Sequence, residues 1–249
     1  IAAGALKRGF TVVHYTLELN ETYVGLRYDT IFSGISTQNI KFQKEEVKKI
    51  IDSIEGRMII KYYPTRAASV NTLAAHLKQL ELKAIKPDLV IVDYADILKD
   101  SSGMREVRHQ LGAVYEDLRG MAGEFKVPIW TASQANRSAL EEDVIEATKI
   151  AEAYSKIMIA DFVLSISRKA EDKLSHTARC HIIKNRFGID GITYPMNMNT
   201  NLGKIEIYES TTQSGREQQG KMDNSEEFKR QLLASKYKDM KNNDVEGFE

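Results

Sequence analysis

Short apolar runs recur along the chain, and longer stretches with apolar residues at helical spacing separate most of them. The clearest run is Asp88-Leu-Val-Ile-Val-Asp-Tyr94, where four apolar residues stand between two turn-prone positions. An evenly apolar run of this length is typical of a strand that is buried on both faces, as in a parallel sheet. Enrichment in β-branched and aromatic residues predicts four further strands, over 11–17, 57–63, 127–132 and 161–166.

The stretches between these strands predict helices, because apolar residues return every three or four positions. One helix is predicted to begin at Asn20, and others cover 44–54, 69–83 and 106–125. Strands that alternate with helices indicate βαβ units and a mostly parallel sheet. Two runs around Asn185-Arg-Phe-Gly188 predict a hairpin, and 204–208 predicts a last edge strand, so we expect antiparallel additions at the carboxyl-terminal end.

Composition narrows the class of protein but does not identify its partners. The 249 residues are 42% hydrophobic and 28% charged, which is typical of a globular protein with a sizeable core. The formal net charge is zero, so a nucleic-acid partner would require a local basic patch. Cys180 is the only cysteine, which excludes an internal disulfide and favours a reducing compartment, the cytoplasm. No apolar run approaches the ~20 residues that span a bilayer, so we expect no membrane partner.

Both ends of the chain have patterns of their own. Ile1 to Gly9 resembles the middle and end of a helix, with Gly9 as the left-handed stop, and a helix does not normally begin a domain without a cap. We therefore expect that the chain lacks its first element. From 210 to 249 polar residues predominate, which predicts a largely disordered tail after a folded domain over 1–209. A short helix over 225–240 would be a partner-binding segment, or the stretch is simply a solvated tail.

Three predicted strands end in polar residues that should meet at one edge of the sheet: Glu18, Asp93 and Gln134. Taken alone, Asp93 is explained equally well by capping of the next turn and by a ligand site, because open α/β sheets bind ligands at the carboxyl ends of their strands. Neither Glu18 nor Gln134 is a good cap, so capping does not explain the recurrence. Phosphoryl transfer to water uses such a set: an acid for the magnesium shell, a group that polarises the water and a sensor of the γ-phosphate.

Most of 1–209 resembles the RecA-like motor domain of DnaB-type hexameric replicative helicases, especially those of T-even-like phages. Four motifs stand in the family's order and spacing, namely Tyr15-Thr-Leu-Glu18, Leu89-Val-Ile-Val-Asp-Tyr94, Trp130 to Arg137 and Ile183 to Gly188. They are similar to the family's catalytic-glutamate strand, Walker B strand, Ser-Gln-x-Asn-Arg segment and Lys-x-Arg-x-Gly hairpin. The implied fold is α/β, a RecA-like P-loop NTPase core whose mostly parallel twisted sheet is flanked by helices.

The resemblance also implies ATP and Mg²⁺ as cofactors and a role for each matching residue. Asp93 would hold Mg²⁺ through water, Glu18 would polarise the hydrolytic water, and Gln134 would sense the γ-phosphate and couple it to the DNA-facing loop. Lys184 and Arg186 would reach the ATP of a neighbouring subunit, with Arg186 as the arginine finger. A guanidinium suits this role because its fixed planar fork grips phosphate oxygens. The alternative for both residues is a solvated hairpin tip.

The partners implied by the resemblance are single-stranded DNA, other copies of the chain in a homo-hexamer, primase and a helicase loader. By alignment the DNA-facing loop is 141–155, and the candidate DNA contacts are Arg137, Lys149 and Lys156. The Arg-Glu-Ser-Gly run of bacterial members is absent from this loop. The phosphate-binding loop Gly-x-x-x-x-Gly-Lys-[Ser/Thr] is absent too, and we expect it to precede Ile1 in the intact protein, so that this chain alone would be inactive.

The resulting hypothesis is an ATP-dependent replicative DNA helicase that moves 5′ to 3′ and unwinds duplex at a replication fork, in the cytoplasm of a bacterial host if a phage encodes it. One alternative is another RecA-like ATPase, a recombinase or a KaiC-type protein, which would differ at the hairpin and around Gln134. A second alternative is a non-catalytic DNA-binding or assembly subunit that never had a phosphate-binding loop. DNA-stimulated ATP turnover with strand unwinding separates the hypothesis from both.

Overall fold

A parallel sheet of four short strands organises the first half of the chain in the computed structural model, which describes residues 1–101, 103–104, 106–135, 142–146 and 154–224. The strands are β1 (Val12–Thr16), β2 (Met58–Tyr62), β3 (Leu89–Asp93) and β4 (Ile129–Thr131), in the order β2-β1-β3-β4. β1 lies between β2 and β3, and all five of its residues are buried. In the register of β1 and β3, Thr16 is opposite Asp93, so the carboxyl ends of these strands lie side by side.

Helices connect these strands as the sequence predicted, with two short additions. α1 (Ala2–Leu6) precedes β1, and Gly9 follows it with a φ of +82°, the expected left-handed stop. The other elements are α2 (Glu21–Ser33), α3 (Thr37–Ile40), α4 (Lys44–Asp52), α5 (Val70–Leu82), the 3₁₀ turn η1 (Ala95–Ile97) and α6 (Val107–Phe125). α3 and η1 were not predicted, because three or four residues are too few to show a helical period.

The two faces of the parallel sheet bury different clusters. One face packs Val13 and Val92, among others, against α5 and α6, and this cluster is the larger core. The other face packs Val12 and Leu89 against α1 and the aromatic side chains of α2. Because successive side chains of a strand alternate between faces, Asp93 projects on this second face, the side that α1 covers.

The second half of the chain forms an antiparallel sheet. Its strands are β5 (Phe162–Ser167), β6 (Thr177–Asn185), β7 (Thr193–Asn199) and β8 (Lys204–Ile207), in sequence order. α7 (Tyr154–Ile159) precedes β5, and α8 (Asp172–Ser175) connects β5 to β6. The predicted hairpin and edge strand are confirmed. Within the described residues, however, the strands form two separate hydrogen-bonded sheets, and the rings of Trp130 and Phe162 pack together between them with centroids 5.8 Å apart.

Residues 213–224 form a further helix, α9, which lies within the stretch predicted to be a disordered tail. Gln218 Nε2 donates to the carbonyl of Met196 in β7 at 3.0 Å, and Met222 is almost fully buried. A side chain at Gly215 would collide with the carbonyl of Glu209, so the first turn of α9 requires glycine for close approach to the backbone. Packing against the folded chain therefore continues to at least residue 222, and the predicted helix over 225–240 lies outside the described residues.

No helix in the described part of the chain combines the length and apolar character needed to cross a membrane.

Candidate functional site

Glu18, Asp93 and Gln134 lie at the same edge of the parallel sheet. Leu17 N donates to the carbonyl of Asp93 at 2.9 Å, which fixes the exit of β1 against the exit of β3. Gln134 Nε2 donates to the hydroxyl of Tyr94 at 3.4 Å. Glu18 and Gln134 are exposed, and the side chain of Asp93 is 47% exposed. The three predicted residues are thus presented to solvent from neighbouring strand ends.

Tyr94 stands among these side chains, although no sequence pattern assigned it a role. The peptide bond between Asp93 and Tyr94 is cis. Burial raises the pKa of the Tyr94 phenol, and the negative charges of Glu18, Asp96 and Asp93 raise it further. The phenol therefore stays protonated near neutral pH and can both donate a hydrogen bond and accept one from Gln134.

A buried histidine approaches Asp93 from β1. His14 Nε2 lies 3.9 Å from Asp93 Oδ2, and His14 Nδ1 is 2.9 Å from the hydroxyl of Tyr28 in α2. Burial lowers the pKa of His14 more than the nearby Asp93 carboxylate raises it, so the ring is neutral at neutral pH. His14 Nε2 is buried and has no hydrogen-bond partner among the described residues, so an unsatisfied polar atom faces the space beside Asp93.

The side chains around Asp93 suit Mg²⁺ better than a metal ion whose ligands are mostly protein side chains. Mg²⁺ retains several waters and usually takes one or two carboxylates together with substrate phosphates. Asp93 offers one half-exposed carboxylate, and the described residues contain no group of three His, Cys, Asp or Glu side chains arranged to hold a metal. The residues present therefore fit an ion that Asp93 contacts directly or through water while phosphate supplies other ligands.

A second polar cluster, which sequence reasoning missed, lies behind Gln134. Asp96 Oδ2 accepts from Ser133 Oγ at 2.9 Å and from Lys156 Nζ at 2.9 Å, while Asp96 Oδ1 accepts from Tyr115 at 2.8 Å. Lys156 Nζ also donates to Ser133 Oγ at 3.1 Å. The partners are 19 to 60 residues from Asp96 in sequence, and no local pattern signals such contacts.

The predicted DNA contacts have different outcomes. Arg137 and Lys149 lie outside the described residues. Lys156 is described, but only 5% of its side chain is exposed, and its ammonium is bonded to Asp96 and Ser133. This position differs from the solvent-facing one that a DNA contact requires. The alignment suggested Lys156 because it lies just beyond the loop 141–155, and nothing in the sequence near Lys156 signals that it pairs with a partly buried acid.

Lys184 and Arg186 lie together near the end of β6, and contacts within the chain hold both. Lys184 Nζ donates to two backbone carbonyls near the end of α7, at 2.8 and 2.9 Å. Arg186 Nη1 lies 2.6 Å from Asp161 Oδ1, and the same oxygen is 3.0 Å from Arg119 Nη1. Arg186 is about half exposed, and the next residue, Phe187, is 84% exposed. The tip of the hairpin at Arg186 and Phe187 is therefore solvated, whereas Lys184 lies in β6 with its ammonium bonded to α7.

Comparison with known proteins places this geometry in a family. The family model for the DnaB-like helicase C terminal domain matches residues 1–206. A DnaB-like replicative helicase of Enterobacteria phage T4 is 29% identical over 201 residues, which are 76% of this chain and 42% of that protein. The replicative DNA helicase DnaB of Helicobacter pylori is 21% identical over 142 residues, 55% of this chain and 28% of that protein. The chain thus spans less than half the length of these relatives.

Solved structures show the same fold. A structure described as an ATPase domain superposes with a TM-score of 0.70 at 19% identity, covering 84% of this chain and 78% of that one. A DnaB-like replicative helicase, solved in work on its interactions with primase, superposes with a TM-score of 0.69 at 20% identity, covering 83% of this chain and 54% of that one. The implied RecA-like α/β core is confirmed by these likenesses.

Proposed function

Because this chain belongs to the DnaB-like helicase C-terminal domain family, we propose that it is the motor part of an ATP-dependent replicative helicase that translocates 5′ to 3′ on single-stranded DNA. The observation that carries the proposal is the convergence of Glu18, Asp93 and Gln134 at one sheet edge. Sheet edges of this kind are where open α/β folds bind their ligands. The family membership supports ATP as the ligand.

Within one subunit, the surroundings of Glu18, Asp93 and Gln134 support a separate role for each residue. Glu18 is exposed at the exit of β1, where a carboxylate can accept a proton from an attacking water. Gln134 reaches across to Tyr94, so a phosphate that draws the amide away would break this bond and report its presence. Asp93 is the residue that would hold Mg²⁺, and the ion supplies charge stabilisation for the transferring phosphoryl group.

Lys184 and Arg186 are proposed to act on the ATP of the next subunit in a homo-hexamer. An arginine supplied in trans stabilises the charge on the phosphoryl group during transfer, and such fingers are worth ~10³–10⁵ in rate. The exposure of Arg186 and of the adjacent Phe187 supports this assignment, because a cation at a solvated turn can meet a neighbouring subunit. Single-stranded DNA, primase and a helicase loader are the further partners that we propose, and the cytoplasm of a bacterial host is the proposed location.

Glu18→Gln tests the proposal in the whole protein as its gene encodes it. The substitution keeps the size of the side chain and removes its basicity, so ATP turnover should fall by about 10²–10⁴-fold while ATP binding stays within a few-fold. Wild-type turnover should rise on addition of single-stranded DNA, and the protein should unwind a forked duplex that has a 5′ tail. Steady-state ATPase, nucleotide binding and gel-based unwinding assays measure these quantities.

Glu45→Gln, on the exposed surface of α4, is the matched control and should leave turnover unchanged. ATP turnover without unwinding would favour another RecA-like ATPase. Absence of ATP turnover in the wild-type protein would contradict the enzyme proposal and favour a DNA-binding or assembly subunit.

A further inference from the structure

Lys156, Asp96 and Ser133 join three parts of the chain that are distant in sequence. Asp96 belongs to η1, directly after β3; Ser133 follows β4 and immediately precedes Gln134; and Lys156 belongs to α7. The ammonium of Lys156 bonds to both of the others, at 2.9 Å to Asp96 and 3.1 Å to Ser133. α7 is thereby fixed to the residue that stands beside the proposed γ-phosphate sensor.

These contacts hold the lysine in one place. The side chains of Lys156 and Asp96 are only 5% and 17% exposed, so solvent screens their attraction little. The Lys156 ammonium also lies 5.5 Å from the ring centroid of Tyr115, whose hydroxyl donates to the other oxygen of Asp96. Since the ammonium and both carboxylate oxygens have partners, the ammonium is held in one position and is not free to reach solvent.

We propose that Lys156 and Asp96 are positioning residues that couple nucleotide binding at Gln134 to the affinity for single-stranded DNA. A movement of the Gln134 segment pulls on Ser133, and the Lys156 ammonium transmits that displacement to α7. α7 starts at Tyr154, at the carboxyl-terminal end of the stretch in which we expect the DNA-facing loop. This inference rests on the proposed function, because it takes ATP and single-stranded DNA as the two ligands.

Coupling of this kind has a direct thermodynamic measure. If nucleotide changes DNA affinity, the ratio of DNA dissociation constants in two nucleotide states gives the coupling, and it is typically about 5–150-fold. The experiment measures binding of a fluorescent oligothymidine to the whole protein, once with a non-hydrolysable ATP analogue and once with ADP. Wild-type protein should give a ratio clearly different from 1.

The decisive variant is the double substitution Lys156→Met with Asp96→Asn. It removes both charges together, so no buried charge is left unpaired, and the new amide can still accept from Tyr115 and bond to Ser133. Exchanging a buried ion pair for neutral residues of similar volume is often neutral for stability, so the melting temperature should stay close to wild type. The affinity ratio should fall to about 1, because the thioether that replaces the ammonium cannot donate a hydrogen bond to Ser133.

Two further variants keep the result interpretable. Ser133→Ala removes one hydroxyl from an exposed residue, so folding should be preserved, and the affinity ratio should move several-fold towards 1. Lys78→Met is the matched control, because Lys78 pairs with Glu124 at the same 2.9 Å but on the surface, and it should leave the ratio unchanged.

The possible outcomes separate the inference from the proposed function. If Ser133→Ala, or a double variant that melts like wild type, gives the same ratio of DNA dissociation constants as the wild-type protein, then the cluster only stabilises the fold. That result would overturn the inference. If wild-type protein binds neither the ATP analogue nor the oligothymidine, the proposed function itself fails.

Discussion

Asp161 is a residue whose importance only the contacts reveal. Its Oδ1 accepts from Arg186 at 2.6 Å and from Arg119 at 3.0 Å, and Arg119 also donates to the carbonyl of Ile159. The backbone supports the same arrangement, since Arg186 N donates to the carbonyl of Asp161 at 2.9 Å. The proposed arginine finger is therefore oriented by a carboxylate that a second arginine holds in place.

We predict that Asp161→Asn has a small effect on stability and a larger effect on ATP turnover. The three charged side chains are each nearly half exposed, so loss of their pairing should lower the free energy of unfolding by at most about 1 kcal/mol. ATP turnover of the whole protein should fall by up to about 10²-fold, because a misplaced catalytic group is costly even when the fold is intact. Glu206→Gln, which disrupts the exposed pair with Lys204, is the control for both measurements. Unchanged turnover would show that Arg186 does not depend on Asp161.

Among single residues, the sequence predicted the position of those that directly follow a recognisable strand. Glu18, Asp93 and Gln134 each follow a recognisable strand, and parallel strands bring their carboxyl ends to one edge. Lys156 could not be placed in this way, because its partner Asp96 is 60 residues away and the pairing depends on how α7 packs.

Among the elements, the short segment 142–146 is fixed to the antiparallel sheet by side chains of β5 and β6. Ser165 Oγ donates to the carbonyl of Ile145 at 2.7 Å, and Ser167 Oγ donates to the carbonyl of Asp143. The carboxylate of Asp143 lies 2.6 Å from Lys169 Nζ and 3.3 Å from Arg179 Nη2. The segment lies inside the stretch 141–155 in which we expect the DNA-facing loop, and these contacts anchor residues 142–146 to the sheet.

Stability should therefore depend on pH through Asp143. The hydrogen bond from Lys169, with the charge of Arg179, lowers the pKa of this carboxyl below its ordinary value of 3.8. A lowered native pKa means that the stabilisation is complete well above pH 3.8 and is lost as pH falls below it, through the native pKa. Chemical denaturation of wild type and Asp143→Asn should give a difference of at most about 1 kcal/mol at neutral pH, because the carboxyl is 60% exposed. That difference should shrink below pH 3.8, and a constant difference would contradict the assignment.

Elements with a clear period were predictable, and those that depend on tertiary contacts were not. The described strands match the predicted runs because β-branched and aromatic residues are frequent in them. α9 escaped prediction because its sequence is polar. The bond from Gln218 to β7 and the burial of Met222 depend on tertiary packing, which no local pattern signals. The division of the described strands into two separate sheets escaped prediction as well, because strand pairing between distant runs leaves no local signal. The run 127–132 is also longer than the strand it forms, Ile129–Thr131.

On the scale of the whole molecule, the proposed catalytic groups divide into two sets that face different surroundings. Glu18, Asp93 and Gln134 lie at the carboxyl ends of strands of the parallel sheet, whereas Lys184 and Arg186 lie at the end of β6 in the antiparallel sheet. Within the chain, Arg186 is bonded to Asp161 and Lys184 to α7. If the second set acts on the first set of a neighbouring copy, each active site contains residues from two subunits, and catalysis requires assembly.

Mixing of two inactive variants tests this division. Arg186→Ala should abolish ATP turnover of the whole protein, by ~10³–10⁵-fold, and leave ATP binding within a few-fold, because the finger acts in the transition state. Asp93→Asn should be inactive for a different reason, loss of the magnesium side. In mixed hexamers about a quarter of the interfaces combine an intact Asp93 with an intact Arg186 from the next subunit, so partial turnover should return. A mixture of Asp93→Asn with Glu18→Gln is the control and should stay inactive, because both residues belong to the same side of each interface. Failure of the first mixture to regain turnover, with both variants shown to co-assemble, would mean that Arg186 does not act across an interface.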